Sequence, residues 1–306
     1  MGNSSQAKIA ILGSRAVLSL YGADKYAFLQ GIITNDIERV TDDQAIYAFL
    51  LNPQGRYVYD LFLAKHGDRF LIDCLSSRKD ELLKHLNFRK LKSAVQIEDV
   101  SGSLRVTAVF AHGPHDPFAQ EMVGQGDARR HADGVLFADP RTRAMGVRGM
   151  LSMTSISSLA EDRDLALADE DAYRSRQISL GVPECATEME VTKALPLEYC
   201  ADLLNAIDWN KGCYTGQEVT ARLKHQGLIK RRLALLAIEG APPGPGDMIT
   251  LNGSDVGNVK SFADGRALAL LKVETLRQAL AEGNALSVGK AQGYVLRPVW
   301  AQEDYV

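Results

Sequence analysis

Apolar residues recur at two different spacings along the first 227 residues. Alternating or continuous apolar runs predict strands, for example over residues 16–20 and 104–110. Apolar residues at helical spacing predict helices around residues 28–33 and 77–86. Because strands and helices are interspersed, we expect an α+β region over residues 8–227.

The pattern changes after Gly227. Short apolar runs now follow one another at close intervals, separated by turns rich in glycine and proline, with one helical segment at 273–281. This pattern is typical of a small β-barrel or sandwich, which we expect to form a domain over residues 228–306. The predicted strands cover residues 233–238, 248–251, 256–262, 267–271, 285–288 and 293–299.

Residues 45–63 predict a hairpin that contains an unusual carboxylate. The turn Asn52-Pro53-Gln54-Gly55 separates two apolar runs, since Pro fixes φ and Gly tolerates a positive φ. In the second run Asp60 has the same parity as Val58 and Phe62, which places it on the core side of the strand. An unpaired carboxylate is costly there. Asp60 is therefore a candidate site residue.

Composition narrows the class of protein. The 306 residues are 46% hydrophobic and 24% charged, with a formal net charge of −3, as in a soluble globular protein. No global basic field would recruit nucleic acid, and no apolar run is long enough to span a membrane. The four cysteines form no C-x-x-C pair, which favours a reducing compartment, and we expect a cytoplasmic protein. His112 and His115, three apart in a loop, are a weak metal signal.

The stretch Lys-Gly-Cys-Tyr-Thr-Gly-Gln-Glu, residues 211–218, carries the strongest chemical pattern. Cys213 lies two residues after Lys211 and just before a predicted helix, which Thr215 and Glu218 would begin as a capping box. A nearby ammonium and a helix N-terminus both stabilise a thiolate and lower a thiol pKa from its usual value of about 8.5. A structural loop cysteine beside an ordinary helix cap is the equally open interpretation.

The sequence contains none of several common catalytic motifs that would indicate a site other than residues 211–218. The chain has no dinucleotide or phosphate-binding glycine motif, no G-x-S-x-G and no H-E-x-x-H. A basic run over residues 224–232 could bind a polyanion, such as a phosphate chain or an oligo-carboxylate tail. Short charge runs are more often solvated, and both interpretations stay open.

These residues also carry a family resemblance. The stretch 211–218 resembles the signature of the YgfZ family of folate-binding iron–sulfur cluster assembly factors, which is related to the aminomethyltransferase (T-protein) of the glycine cleavage system. Other blocks are similar to those of the family and occur in the same order. They are residues 28–36, 53–60, 181–184, 195–198, 256–261 and 266–269.

The resemblance implies a fold and a set of site residues. The fold is a T-protein-like tripartite α+β fold. Residues 8–227 would form two interleaved, mixed α/β subdomains around a cleft for tetrahydrofolate, followed by a small C-terminal β-barrel. Glu198 matches the glutamate that hydrogen-bonds the pteridine ring, and Asp60 the second of two paired aspartates, the first being Tyr59 here. Lys211 and Cys213 belong to the signature and join Asp60 as catalytic candidates. Further implied cofactor contacts are Asn35, Tyr214, Gln217 and Arg222.

The function implied is tetrahydrofolate binding in support of the assembly or repair of [4Fe–4S] proteins. Its partners would be iron–sulfur cluster assembly proteins or client iron–sulfur enzymes. Cys213 could ligate iron or accept sulfur, or it could be a redox-sensing or folate-adduct thiol. The alternatives are a folate-dependent aminomethyltransferase or demethylase that uses Asp60, and a module that binds folate without catalysis.

Overall fold

The computed structural model describes residues 6–111, 117–301 and 305–306. The loop with His112 and His115 therefore lies outside the described residues. The chain divides into two compact units. Unit 1 comprises residues 1–51, 58–173 and 205–215, and unit 2 comprises residues 52–57, 174–204 and 216–306. The proposed boundary near residue 228 stays a prediction.

In its described residues, unit 1 is built on two sheets, with three α-helices that lie wholly within the unit. Its elements in chain order are β1 (Lys8–Ile11), β2 (Arg15–Tyr21), α1 (Lys25–Gln30), β3 (Ile46–Leu51), β4 (Tyr57–His66), β5 (Arg69–Leu75), α2 (Lys79–Arg89), β6 (Gln96–Asp99), β7 (Arg105–Phe110), β8 (Ala128–His131), β9 (Gly134–Ala138), β10 (Val147–Leu151), α3 (Met153–Asp162) and β11 (Ala166–Ala168).

The first sheet of unit 1 has the strand order β3-β4-β5-β2-β6. Neighbouring β3 and β4 form the predicted hairpin, which is confirmed. The apolar residues of α1 and α2 pack on this sheet in one buried cluster, which includes Leu29 and Leu86. The apolar face of the sheet is therefore covered by helices that lie between its strands in the sequence.

The second sheet of unit 1 has the order β11-β1-β7-β10-β9-β8. Strand β1 pairs in parallel with β11, where Ile9 lies beside Leu167. These residues are far apart in sequence, and neither strand was predicted. Helix α3 follows β10 and begins at Met153. The side chain of Ser152 accepts a hydrogen bond from the Ser155 backbone N–H and caps α3.

Unit 2 ends in a closed barrel of six antiparallel strands, as the C-terminal pattern predicted. The barrel order is β12-β15-β14-β13-β16-β17. Its elements, with the helices that precede or interrupt it, are α4 (Glu170–Ser179, which crosses the division at Tyr173), α5 (Cys185–Glu188), α6 (Gln217–His225), β12 (Arg231–Gly240), β13 (Met248–Leu251), β14 (Ser254–Ala263), β15 (Arg266–Lys272), α7 (Val273–Glu282), β16 (Leu286–Val288) and β17 (Ala291–Leu296).

The predicted capping box at Thr215 and Glu218 is wrong. Helix α6 begins at Gln217, and its N-cap residue is Gly216, with φ of 84° and no side-chain hydrogen bond to the helix. The Thr215 hydroxyl instead accepts a hydrogen bond from Arg89 Nη1 over 2.8 Å. Among the described residues, no helix is long and apolar enough to cross a membrane.

Candidate functional site

Lys211 holds the segment before Cys213 against the end of α1. Its ammonium donates to three backbone carbonyls, those of Gln30 (3.0 Å), Ile33 (2.7 Å) and Asn35 (2.7 Å). These carbonyls lie at and beyond the C-terminus of α1, where a cation is favoured. All three N–H donors of the ammonium are thus engaged with the backbone.

Burial disfavours the protonated form of the Lys211 side chain. It lowers the pKa of this side chain to about 8, and the carboxylates of Asp36 and Asp208 oppose this shift. The ammonium also lies 5.2 Å from the centroid of the Tyr214 ring, which is itself buried. Lys211 and Tyr214 therefore form a buried anchor on either side of Cys213.

Cys213 itself is exposed, in contrast to the other three cysteines. Cys74, Cys185 and Cys200 are buried. Burial raises the pKa of the Cys74 and Cys200 thiols to about 12, so neither readily forms a thiolate. Within the described part of the chain, no group of three or more His, Cys, Asp or Glu side chains could hold a metal ion.

Asn35 uses its side chain within unit 1. The amide donates to the carbonyls of Tyr47 and Asn205, both over 2.8 Å, and its oxygen accepts from the backbone N–H of Asp36. These bonds join two distant stretches of chain next to the carbonyl that accepts from Lys211. The structure gives Asn35 this bridging role, and its predicted contact with a cofactor stays a prediction.

Asp60 belongs to a buried ionic cluster. Its carboxylate accepts from Arg15 Nη1 over 3.0 Å. Arg15 also donates to Asp73, which accepts a further bond from Arg148 on β10. The Phe62 ring packs against this cluster, with the guanidinium carbon of Arg148 4.1 Å from its centroid.

This cluster joins strands of both sheets of unit 1. It explains how the core-side parity of Asp60 is tolerated, because a buried carboxylate is stable only when it is paired and hydrogen-bonded. The neighbouring Tyr59 ring is also buried and lies 4.2 Å from the guanidinium carbon of Arg78.

Glu198 lines a cavity of about 860 Å³ within unit 2. It lies on the short 3-10 turn Pro196–Tyr199, which Pro196 begins, and its side chain is largely buried. Among the described residues, its carboxylate accepts one side-chain hydrogen bond, from Arg231 Nε over 3.3 Å. The cavity wall carries five cationic side chains against two carboxylates. They are Arg56, Lys230, Arg231, Lys272 and Arg277, with Glu198 and Glu274.

The cavity includes some sequence-predicted residues and leaves out others. Lys230 and Arg231 belong to the basic run that could bind a polyanion. Gln217 and Arg222 are not among the residues that line the cavity, and Arg222 is exposed on the last turns of α6. Lys272 and Arg277 were missed, because they come from β15 and α7, where nothing in the local sequence marks them.

Two family models match parts of the chain. Residues 13–126 match the GCVT N-terminal domain, and residues 230–303 match the C-terminal β-barrel domain of CAF17. The second match covers the closed barrel of unit 2.

A solved structure has the same fold over almost the whole chain. The glycine cleavage system aminomethyltransferase T from Bartonella henselae superposes with a TM-score of 0.78 at 16% identity, covering 98% of this chain and 88% of that one. The predicted T-protein-like α+β fold with a C-terminal β-barrel is thereby confirmed.

Curated relatives are similar over most of the chain. The mitochondrial iron–sulfur cluster assembly factor IBA57 of Mus musculus is 33% identical over 87% of this chain and 78% of its own length. The Homo sapiens protein is 32% identical over the same shares. A Neurospora crassa homolog is 34% identical over 80% of this chain, which spans 58% of that longer protein.

These relatives correct two predictions. The prediction of a cytoplasmic protein is wrong, because the relatives are named as mitochondrial and so point to the mitochondrion. The predicted relationship to iron–sulfur cluster assembly factors is confirmed, but the relatives are IBA57 proteins and not specifically the YgfZ family. At more than 30% identity over more than two thirds of both chains, this protein belongs to the IBA57 family of iron–sulfur cluster assembly factors.

Proposed function

We propose that this protein binds a tetrahydrofolate derivative in the unit 2 cavity and supports the assembly or repair of [4Fe–4S] proteins through Cys213. The names of its relatives support a role in iron–sulfur protein assembly. The observation that carries the folate part is the cavity of about 860 Å³, with the Glu198 carboxylate among five cationic side chains.

The chemistry of this cavity suits a folate. The volume falls in the range of about 300–1,000 Å³ that small-molecule sites occupy. A carboxylate can accept two parallel N–H bonds from the aminopyrimidinone edge of a pterin. The cations of the wall suit the other end of a folate, whose glutamyl carboxylates are anionic at neutral pH.

The exposure of Cys213 supports its role as the acting thiol. Thiolates are soft ligands for iron, and an exposed thiol can reach a second molecule. Within the described residues, Cys213 does not belong to any group of three or more His, Cys, Asp or Glu side chains that could hold a metal ion. A cluster or iron atom at Cys213 would therefore draw its remaining ligands from a partner protein.

Calorimetric titration with tetrahydrofolate tests the first part. We expect binding, and we expect Glu198→Ala to weaken it at least about tenfold, which corresponds to about 1.4 kcal/mol. The matched control is Glu239→Ala, because Glu239 is an exposed glutamate of the barrel. An absence of binding, or equal affinities for the two variants, would contradict the assignment of the cavity.

Complementation of a deletion strain tests the second part. We expect the wild-type chain to restore the activity of a [4Fe–4S] enzyme and the Cys213→Ala variant to fail. The variant should unfold at the wild-type temperature, because the side chain is exposed. Full restoration by Cys213→Ala would rule out the proposed role of the thiol.

A further inference from the structure

The C-terminal end of α2 exposes two large apolar side chains. Phe88 is 80% exposed and Leu91 is 83% exposed. The core face of the same helix is occupied by Leu82 and Leu86, which are buried. Phe88 lies in the last turn of α2, and Leu91 follows directly after the C-cap residue Lys90. They contribute little to the packing of unit 1.

The backbone at Leu91 gives no folding reason for a leucine. Helix α2 ends at Arg89, with Lys90 as its C-cap, and Leu91 follows with φ of 46°. Glycine or asparagine is the residue usually favoured at this left-handed position. Leucine is strained there, and its side chain is exposed to water. This indicates that Leu91 serves a purpose other than stabilising the fold.

The surroundings of these two side chains are strongly basic. Residues 84–92 contain four Lys or Arg and no carboxylate. Lys84 and Lys92 are exposed. We call the set Lys84, Phe88, Leu91 and Lys92 the α2 patch. An apolar centre with a cationic rim suits a partner surface of apolar and acidic residues.

The α2 patch is joined to the segment that carries Cys213. Arg89, which lies between Phe88 and Leu91, donates to the Thr215 hydroxyl over 2.8 Å. Thr215 follows Cys213 by two residues, so their Cα atoms are at most about 7 Å apart. The thiol and the patch thus belong to one continuous region of unit 1.

We propose that the α2 patch docks an acidic, partly apolar surface of an iron–sulfur protein, whose cluster site then faces Cys213. This proposal rests on the proposed function, since it names the partner of the same thiol. A protein partner is favoured over a membrane because the proposed function gives the neighbouring thiol a partner protein, which supplies the remaining ligands of the iron. A helix that lies on a membrane also presents a wider apolar face, and here Leu82 and Leu86 are buried.

The test uses the full chain in the deletion strain. We expect the double variant Phe88→Ser/Leu91→Gly to lose restoration of [4Fe–4S] enzyme activity. Its tetrahydrofolate affinity and unfolding temperature should not fall, since glycine suits the left-handed position. Lys84→Glu/Lys92→Glu should show the same loss. The matched control is Leu167→Ser, because Leu167 is 81% exposed on β11 and should complement as the wild type does.

Full complementation by both double variants would overturn the docking proposal alone, provided that Cys213→Ala still fails. Full complementation by Cys213→Ala as well would instead contradict the proposed function. Flotation with vesicles of equal parts phosphatidylglycerol and phosphatidylcholine tests whether the α2 patch binds a membrane instead of a protein. Vesicle binding by the wild type that is lost in Phe88→Ser/Leu91→Gly would overturn the protein partner, whereas no binding by either supports it.

Discussion

The ammonium of Lys211 donates a hydrogen bond to the backbone carbonyl of Ile33 over 2.7 Å. Two more carbonyls share the same ammonium, so one side chain ties the Cys213 segment to the end of α1. The lysine of the signature thus has a structural task, whatever further part it takes in chemistry.

Lys211→Met should destabilise the protein, because it removes these bonds and leaves three carbonyls without their donor. A hydrogen bond to a charged group contributes about 1.5–3 kcal/mol, and we expect a loss of at least about 2 kcal/mol. Urea unfolding measures it. The exposed Lys290→Met is the control and should stay within about 0.5 kcal/mol of the wild type. Equal stabilities would show that the anchor contributes nothing.

Asp60→Asn should also cost stability, by about 3 kcal/mol, because it removes the buried negative charge that pairs with Arg15. Thermal or urea unfolding checks this. Asp68→Asn is the matched control, since that exposed carboxylate pairs with Lys25 at the surface. If Asp60→Asn instead kept full stability and abolished a turnover that forms methylene-tetrahydrofolate, the C1-transferase alternative would gain its first support.

Cys213 should be the one cysteine that a thiol reagent modifies in the native protein. The other three are buried, and burial raises the pKa of Cys74 and Cys200 to about 12. Mass spectrometry after iodoacetamide treatment should find one adduct on native wild type and none on Cys213→Ser. All four cysteines should react in denaturant. Modification of Cys74 in the native state would contradict the core described for unit 1.

His85 should make stability depend on pH below neutrality. Its half-buried position lowers the pKa, and the nearby charge of Arg89 lowers it further. In the unfolded chain His85 therefore takes up a proton at about pH 6.5, whereas in the folded chain it stays neutral until the pH is lower. Stability from this group is present above about pH 6.5 and decreases as the pH falls toward the folded-state pKa.

Urea unfolding of wild type and His85→Gln at several pH values isolates this contribution. We expect the free energy of unfolding of the wild type to fall, relative to the variant, as the pH decreases through about 6.5. Other histidines affect both proteins alike and cancel in the difference. A difference that stays constant with pH would show that His85 takes up its proton equally in both states.

Local sequence was sufficient for much of this molecule. Residues 45–63 determine their hairpin, because two apolar runs flank a turn built on Pro53 and Gly55. The C-terminal strands follow in the same way, since short apolar runs between glycine and proline turns have few alternatives. Cys213 was also identified as a candidate from the residues next to it in the sequence.

The tertiary structure decided which distant groups meet. Parity placed Asp60 on the core side, yet only the fold shows that Arg15 pairs with it. Lys211 has three acceptors more than 170 residues away in sequence, and Lys272 and Arg277 reach the Glu198 cavity from separate elements. Turns and periodicity are set by neighbouring residues, whereas ion pairs, buried anchors and cavity walls depend on long-range packing, which no local pattern encodes.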